Sequence, residues 1–217
     1  YYNNGWNTVT DLENDNLDLG QGFVIYVFSD TDYDGDDDLP VTISVDGDIN
    51  ESNIDIATNN SDWNLLGNPY GLALDVESLL IDNPNFSSTV YVWDNEITGY
   101  KMHNGIVGDL DEGLISPFSG FWIEANQSGN SFSFNESSIE NSYGDTTRNT
   151  STPSDSTGYG VITFESGGYE SSVYVSFSES GDVNLDPADA RRIVPMQPST
   201  HLISMIYESG KSLSINN

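Results

Sequence analysis

Asp62-Trp63-Asn64-Leu65-Leu66-Gly67-Asn68-Pro69-Tyr70-Gly71 reads as an apolar strand that runs straight into a turn. A residue before proline is driven out of the helical region, and glycine accepts positive φ. The strand therefore has to stop near Gly67, and the chain has to swing away. Ser116-Pro117-Phe118-Ser119-Gly120-Phe121-Trp122-Ile123-Glu124-Ala125 has the same form, a turn feeding an aromatic strand. Both stretches read as central strands of one β-sandwich.

Working outward, Phe23-Val24-Ile25-Tyr26-Val27-Phe28 is apolar at every position, the pattern of a strand covered on both faces. Val41, Ile43 and Val45 alternate with polar residues, as in a half-buried strand, and Ser29 to Leu39 forms an acidic hairpin loop between the two. Further short strands are expected over Trp6 to Thr10, Asn53 to Ala57, Thr89 to Trp93, Tyr100 to Met102, Phe121 to Ile123 and Phe132 to Phe134. The Tyr100 strand pairs back across Asn95-Glu96. One helix is expected, Val76 to Leu80, with Asp75 as its N-cap. Strands spaced by ~8–12 residues without intervening long helices point to an all-β, antiparallel sandwich or jelly roll over residues 1–140.

Residues 141–158 are dominated by Ser, Thr, Asn, Pro and Gly and read as a linker. Strands resume at Tyr159 to Glu165, Val173 to Phe177, His201 to Tyr207 and Leu213 to Asn216. Residues 159–217 hold too few strands for an independent sandwich. Either they pack on the first domain or further strands follow Asn217, and the second arrangement is the one expected. The opening Tyr1-Tyr2, with neither an initiator Met nor a signal peptide, likewise suggests a piece of a longer protein.

Charge narrows the function. The 217 residues carry 35 acidic and 5 basic side chains, a net charge of −30. Such a field repels nucleic acid and anionic membranes, and suits salty surroundings where screening acts within ~8 Å. There is no Cys, so neither disulfides nor thiol chemistry is available. No run approaches the ~18 apolar residues of a membrane span.

The sharpest chemical signal is Asp30-Thr31-Asp32-Tyr33-Asp34-Gly35-Asp36-Asp37-Asp38. Asp30, Asp32 and Asp34 followed by Gly35 have the spacing of an EF-hand calcium loop, with Asp36 and Asp38 as further oxygen donors. The twelfth position is Val41 rather than Glu, and strands flank the loop rather than helices, so a solvated hairpin tip is the competing reading. Gly181 to Asp189 has a weaker acidic spacing, with Pro187 where a glycine is needed. The neighbouring Arg191 and Arg192 neutralise these acids or anchor the loop to carboxylates elsewhere.

Catalysis finds little footing. The two histidines, His103 and His201, fall on separate parts of the chain, and no nucleophile or metalloprotease motif occurs. Aromatic rings can stack on sugars: Trp6, Tyr70 and Tyr100 are the glycan-binding candidates, with Trp93 a further one that equally suits a core.

Gly22 to Phe28, Trp63 to Tyr70, Val90 to Asp94 and Ile115 to Ala125, in that order, resemble β-rich modules near the C-terminal ends of large secreted proteins of Bacteroidetes, especially marine flavobacteria. Ser171 to Phe177, Asp186 to Ile193 and Leu213 to Asn217 are similar to the first half of the sandwich that often follows. The resemblance implies export by the type IX secretion system and an extracellular or cell-surface location. It also brings out Asp145-Thr146-Thr147 and Asp155-Ser156-Thr157, which look like the O-glycosylation signal of these bacteria, at Thr146 and Ser156. The expected function is a non-catalytic module for adhesion or glycan binding, with calcium rigidifying the acidic hairpin. Its partners are a surface glycan or neighbouring domains and subunits of the same assembly. The alternatives are a structural spacer or filament subunit, and an accessory domain of a polysaccharide hydrolase.

Overall fold

A computed structural model describes residues 2, 5–8, 17–39, 47–59, 62–126, 131–140, 158–166, 169–177, 189–191, 193, 205–206 and 212–216. Within them the chain is all-β, with one short α-helix and two 3-10 turns. No helix among the described residues is long and apolar enough to cross a membrane.

The centre is a four-stranded antiparallel sheet of β2 (Trp63–Gly67), β7 (Gly120–Glu124), β4 (Val90–Asp94) and β5 (Gly99–His103), in that order. The two stretches that define the sequence thus lie side by side, with Leu65 opposite Trp122 and Leu66 opposite Phe121. Trp93 stands opposite Tyr100 across the β4–β5 hairpin, as expected for a turn at Asn95-Glu96.

Side chains alternate between faces along a strand. One face of this sheet carries Leu66, Phe121, Ile123 and Val90, all buried. They meet β1 (Ile54–Ala57) and β8 (Ser131–Phe134), an antiparallel pair whose Phe132 and Phe134 are fully buried. The rings of Phe121, Phe132, Phe134 and Phe86 pack tilted or edge to face at centroid distances of 5.0–6.2 Å. The helix α1 (Val76–Asp82) closes this core with Val76 and Leu79. Its N-cap is the expected one: Asp75 Oδ1 accepts from the Ser78 N–H at 2.9 Å. A two-stranded pair, β3 (Leu74–Asp75) with β6 (Leu114–Ile115), borders the helix.

The opposite face carries Trp63, Leu65, Tyr91, Trp93, Tyr100 and Trp122, by the same alternation. Part of it is covered by the second sheet, built from β9 (Gly158–Ser166), β10 (Tyr169–Phe177), β11 (Ala190–Arg191), β12 (Met205–Ile206) and β13 (Ser212–Asn216). Tyr174 and Ala190 share an apolar cluster with Tyr91, Met102 and Val107. The Tyr91 hydroxyl donates to the Arg191 carbonyl at 2.6 Å, and the Arg191 guanidinium pairs with Glu124 at 2.8 Å. The C-terminal part therefore makes contact with the first through this patch. Arg191 is anchored to a carboxylate elsewhere, Glu124, and the acidic loop 181–188 lies outside the described residues. The second sheet is also mixed rather than antiparallel throughout, since β10 and β13 run parallel.

Two expectations for the N-terminal region change. Among the described residues Trp6 forms a single bridge, to Tyr2, and Asn7 and Thr8 are not in a strand. The run Phe23 to Phe28 is not a central strand. Gly20 to Gly22 pair with the end of β2 through Gly22 N–H to Leu65 O (3.1 Å) and Gly67 N–H to Gly20 O (2.8 Å). The chain lies so close there that a Cβ on Gly22 would stand 2.6 Å from the Leu66 carbonyl oxygen. Beyond Gly22 the ladder ends, and Phe23, Val24, Ile25, Tyr26 and Phe28 remain 48–72% exposed. Apolarity on both faces reports a tendency to be covered, but it does not name the neighbour. The expected partner strand, Val41 to Val45, lies outside the described residues, as do Val9 and Thr10, His201 to Ser204 and all of the linker except Gly158.

Asn68 joins the two defining turns. Its buried amide donates to the carbonyls of Leu72 (2.9 Å), Ile115 (3.2 Å) and Ser116 (3.1 Å), and its Oδ1 accepts from the Tyr70 N–H (3.0 Å). Replacing it removes the donor that serves the buried Ile115 bond and the two partly buried ones to Leu72 and Ser116. Asn68→Ala is expected to destabilise the fold by about 3 kcal/mol, read as a lowered midpoint in urea denaturation with unchanged slope. A loss below ~1 kcal/mol would show that the clamp is not structural.

Candidate functional site

Two features stand out on this scaffold, an acidic loop and an aromatic groove. The loop over residues 29–39 is closed at its neck by the Asp38 N–H donating to the Ser29 carbonyl at 2.7 Å. Inside it, carboxylates accept from backbone amides: Asp30 from Gly35 (3.0 Å), Asp32 from Asp34 (3.2 Å) and Asp34 from Asp36 (2.9 Å). Tyr33 and Gly35 take positive φ, 64° and 99°, which produces the tight reversal.

Of the five proposed donors, Asp30, Asp32 and Asp38 bring carboxylate oxygens within 4.8 Å of one another, whereas Asp34 and Asp36 are not part of that cluster. Oxygens bound to one Ca²⁺ at 2.3–2.6 Å lie at most about 5 Å apart, so the spacing of the three fits a single ion. Asp30 Oδ1 is shielded from solvent and has no hydrogen-bond partner. Position twelve of the expected loop, Val41, is outside the described residues.

The groove runs along the outer part of the aromatic face. Its floor is Leu65, Gly120 and Trp122, one wall is Phe23 to Tyr26, and the other is Trp93 and Tyr100, with Asn95, Thr98 and Ser119 at the rim. The volume is about 490 Å³. Trp93 and Tyr100 meet edge to face at 5.1 Å and 76°. The Trp93 indole N–H donates to Asn95 Oδ1 at 2.8 Å, which fixes the ring. Burial pushes the Tyr100 hydroxyl up, opposed by a hydrogen bond from Trp122, so the phenol stays neutral at physiological pH.

The hairpin that carries this wall is tied by Lys101 and Asp94, paired at 2.8 Å. The ammonium, together with the N–H groups of Ile97 and Glu96, holds the Asp94 carboxyl below its usual range against the opposing effect of burial.

The sequence-derived sugar candidates separate. Tyr100 lines the groove. Trp6 is 54% exposed and packs edge-on to Trp122 at 5.8 Å, beside the groove rather than in it. Tyr70 is not available: it is 2% exposed, and its hydroxyl donates to the carbonyls of Phe134 (3.0 Å) and Ser52 (3.2 Å). The Asn-Pro turn folds that ring back into the core. Trp93 does serve the groove, and Tyr26 joins it from a run that the sequence assigns to the interior. Thr146, Ser156, Asp182 to Asp186 and His201 lie outside the described residues. His103, at the end of β5, accepts from the Gly105 N–H on Nδ1 at 3.0 Å. Its ring packs against Gly113, where a Cβ would approach the imidazole to 2.7 Å.

Comparison with protein-family models, with curated proteins and with solved structures returned no match.

The loop makes a pH prediction. The Thr31 hydroxyl and Thr31 N–H both donate to Asp38, at 2.6 and 2.7 Å, and lower its pKa below the ordinary 3.8. A depressed carboxyl stabilises the closed loop above the unfolded value and loses that contribution as pH falls through the folded one. Closure should therefore persist at neutral pH and weaken only below pH 3.8. Thr31→Val should move the Asp38 titration, followed by carboxyl-carbon NMR, upward toward that value. An unmoved titration would exclude the Thr31 bonds as the cause.

Proposed function

We propose that this chain is a non-catalytic extracellular module that binds a glycan in the aromatic groove. The observation that carries the reading is the groove itself: Trp93, Tyr100 and Tyr26 converge on one concave strip, with Asn95, Thr98 and Ser119 at its rim. Flat apolar rings match the C–H faces of pyranoses, and rim amides and hydroxyls match their OH groups. The resemblance to secreted Bacteroidetes modules exported by the type IX system supports the location, and the excess of acid suits a saline exterior.

A glycan array with the whole chain tests this. Binding should be found, and Trp93→Ala should weaken it by about 2 kcal/mol, roughly 30-fold, as expected for an aromatic anchor. The rival is an assembly or spacer element, which the apolar edge strand β9 favours: Tyr159, Val161, Ile162 and Phe164 are 42–60% exposed on it. An array without signal, together with self-association in sedimentation, would replace the glycan reading with that one.

Calcium in the acidic loop is the second part of the proposal. It rests on the convergence of Asp30, Asp32 and Asp38. An ion that binds only the folded chain stabilises it by mass action, about 2.7 kcal/mol at a hundredfold excess over Kd. The melting temperature should rise by ~5–10 °C in calcium and fall back with chelator. Asp30→Asn should abolish most of the rise. A melting temperature indifferent to calcium would remove the ion from the reading.

A further inference from the structure

Among the described residues, those that line the groove carry no charge. Its lining consists of apolar, aromatic and neutral polar residues only. The chain as a whole is 18% charged, so composition alone would put about two charged residues among the thirteen of the lining, where none is found. The two cations among the described residues are engaged: Lys101 with Asp94 and Arg191 with Glu124.

On the glycan-binding reading of this groove, we propose that its ligand is an uncharged polysaccharide and that anionic ones are excluded. A uronate or a sulphate ester laid against Leu65, Trp93 and Trp122 would leave water without a guanidinium or ammonium to meet it. The net charge of −30 adds long-range repulsion. An amino-sugar polymer is attracted by the same field, but it finds no carboxylate in the lining, and salt screens the remainder within ~8 Å. Neutral sugars need only what is present. Their ring faces meet Trp93 or Tyr100, which stand 76° apart and so cannot both stack on one ring. Their hydroxyls meet Thr98, Ser119 and the NH₂ group of Asn95, whose Oδ1 is held by Trp93.

The test is affinity electrophoresis and calorimetry of the whole chain with three polymer classes, at low and at high sodium chloride. The classes are a neutral β-glucan or mannan, an alginate or sulphated galactan, and chitosan. Neutral polymers should bind with an affinity changed less than ~2-fold by salt, because no ion pair forms. Anionic polymers should bind at least ~10-fold more weakly at either salt, and chitosan should do so at high salt, where the attraction of the −30 field is screened and the lining offers no carboxylate to replace it. Trp93→Ala and, as a milder change at the rim, Asn95→Ala should each weaken neutral binding, with folding checked by circular dichroism. Tighter binding of an anionic polymer at either salt, or of chitosan at high salt, would overturn the neutral specificity and leave the glycan reading standing. Neutral binding that both variants leave intact would place the ligand outside the groove and overturn the inference. Absence of binding to all three classes would end the glycan reading itself.

Discussion

The side-chain amide of Asn68 is the junction on which the architecture depends. It sits where β2 ends and binds backbone on both defining stretches, Leu72 on its own side and Ile115 and Ser116 on the other. Its own N–H donates to the Ser119 carbonyl, just before β7 begins. The register of β2 against β7 is thus held by a buried polar group as well as by the ladder. Sheets with one buried face already resist slippage by a single residue, because such a slip exposes every core side chain. Here a slip would also take the Asn68 donors away from the carbonyls of Ile115, Ser116 and Ser119.

Both faces of the central sheet are apolar, and they differ in kind. The face with Leu66, Phe121 and Ile123 is a closed aromatic core. The opposite face is richer in large rings and only partly roofed. Tyr174 and Ala190 cover the Tyr91 and Met102 end. Toward Leu65, Trp93 and Tyr100 the cover is the segment Phe23 to Tyr26, which leaves the ladder after Gly22 and stands off as a wall. The groove is therefore a consequence of incomplete roofing. A strand that paired fully with β2 would lie in the plane of the sheet and form no wall.

Charge is organised around these surfaces rather than spread evenly. Lys101 and Arg191 tie the β4–β5 hairpin and the second sheet to the first. Acid is concentrated in the loop that follows the groove wall in sequence, where Thr31 and backbone amides stabilise the carboxylates. Asp82 is treated similarly: burial raises its pKa, and hydrogen bonds from Ser137, Asn135 and Ser138 outweigh that and lower it.

Local chemistry was legible from residues alone. The Gly67-Asn68-Pro69 stop, the Asp75 cap, the Trp93–Tyr100 hairpin and the tight turn at Gly35 each depend on neighbours in sequence, and period-two alternation was enough for an all-β chain. Packing settled which apolar surface is covered and by what. Tyr70 and Tyr100 both flank turns and look alike in sequence. One is folded into the core by a turn whose direction depends on Ile115 and Ser116, far along the chain; the other is left at a groove because the roof above it stops short. Phe23 to Phe28 has the composition of an interior strand and lines a surface instead. Hydrophobicity is a property of a residue, whereas burial is a property of the pair it makes, and pairs far apart in the chain are set by contacts that no local pattern encodes.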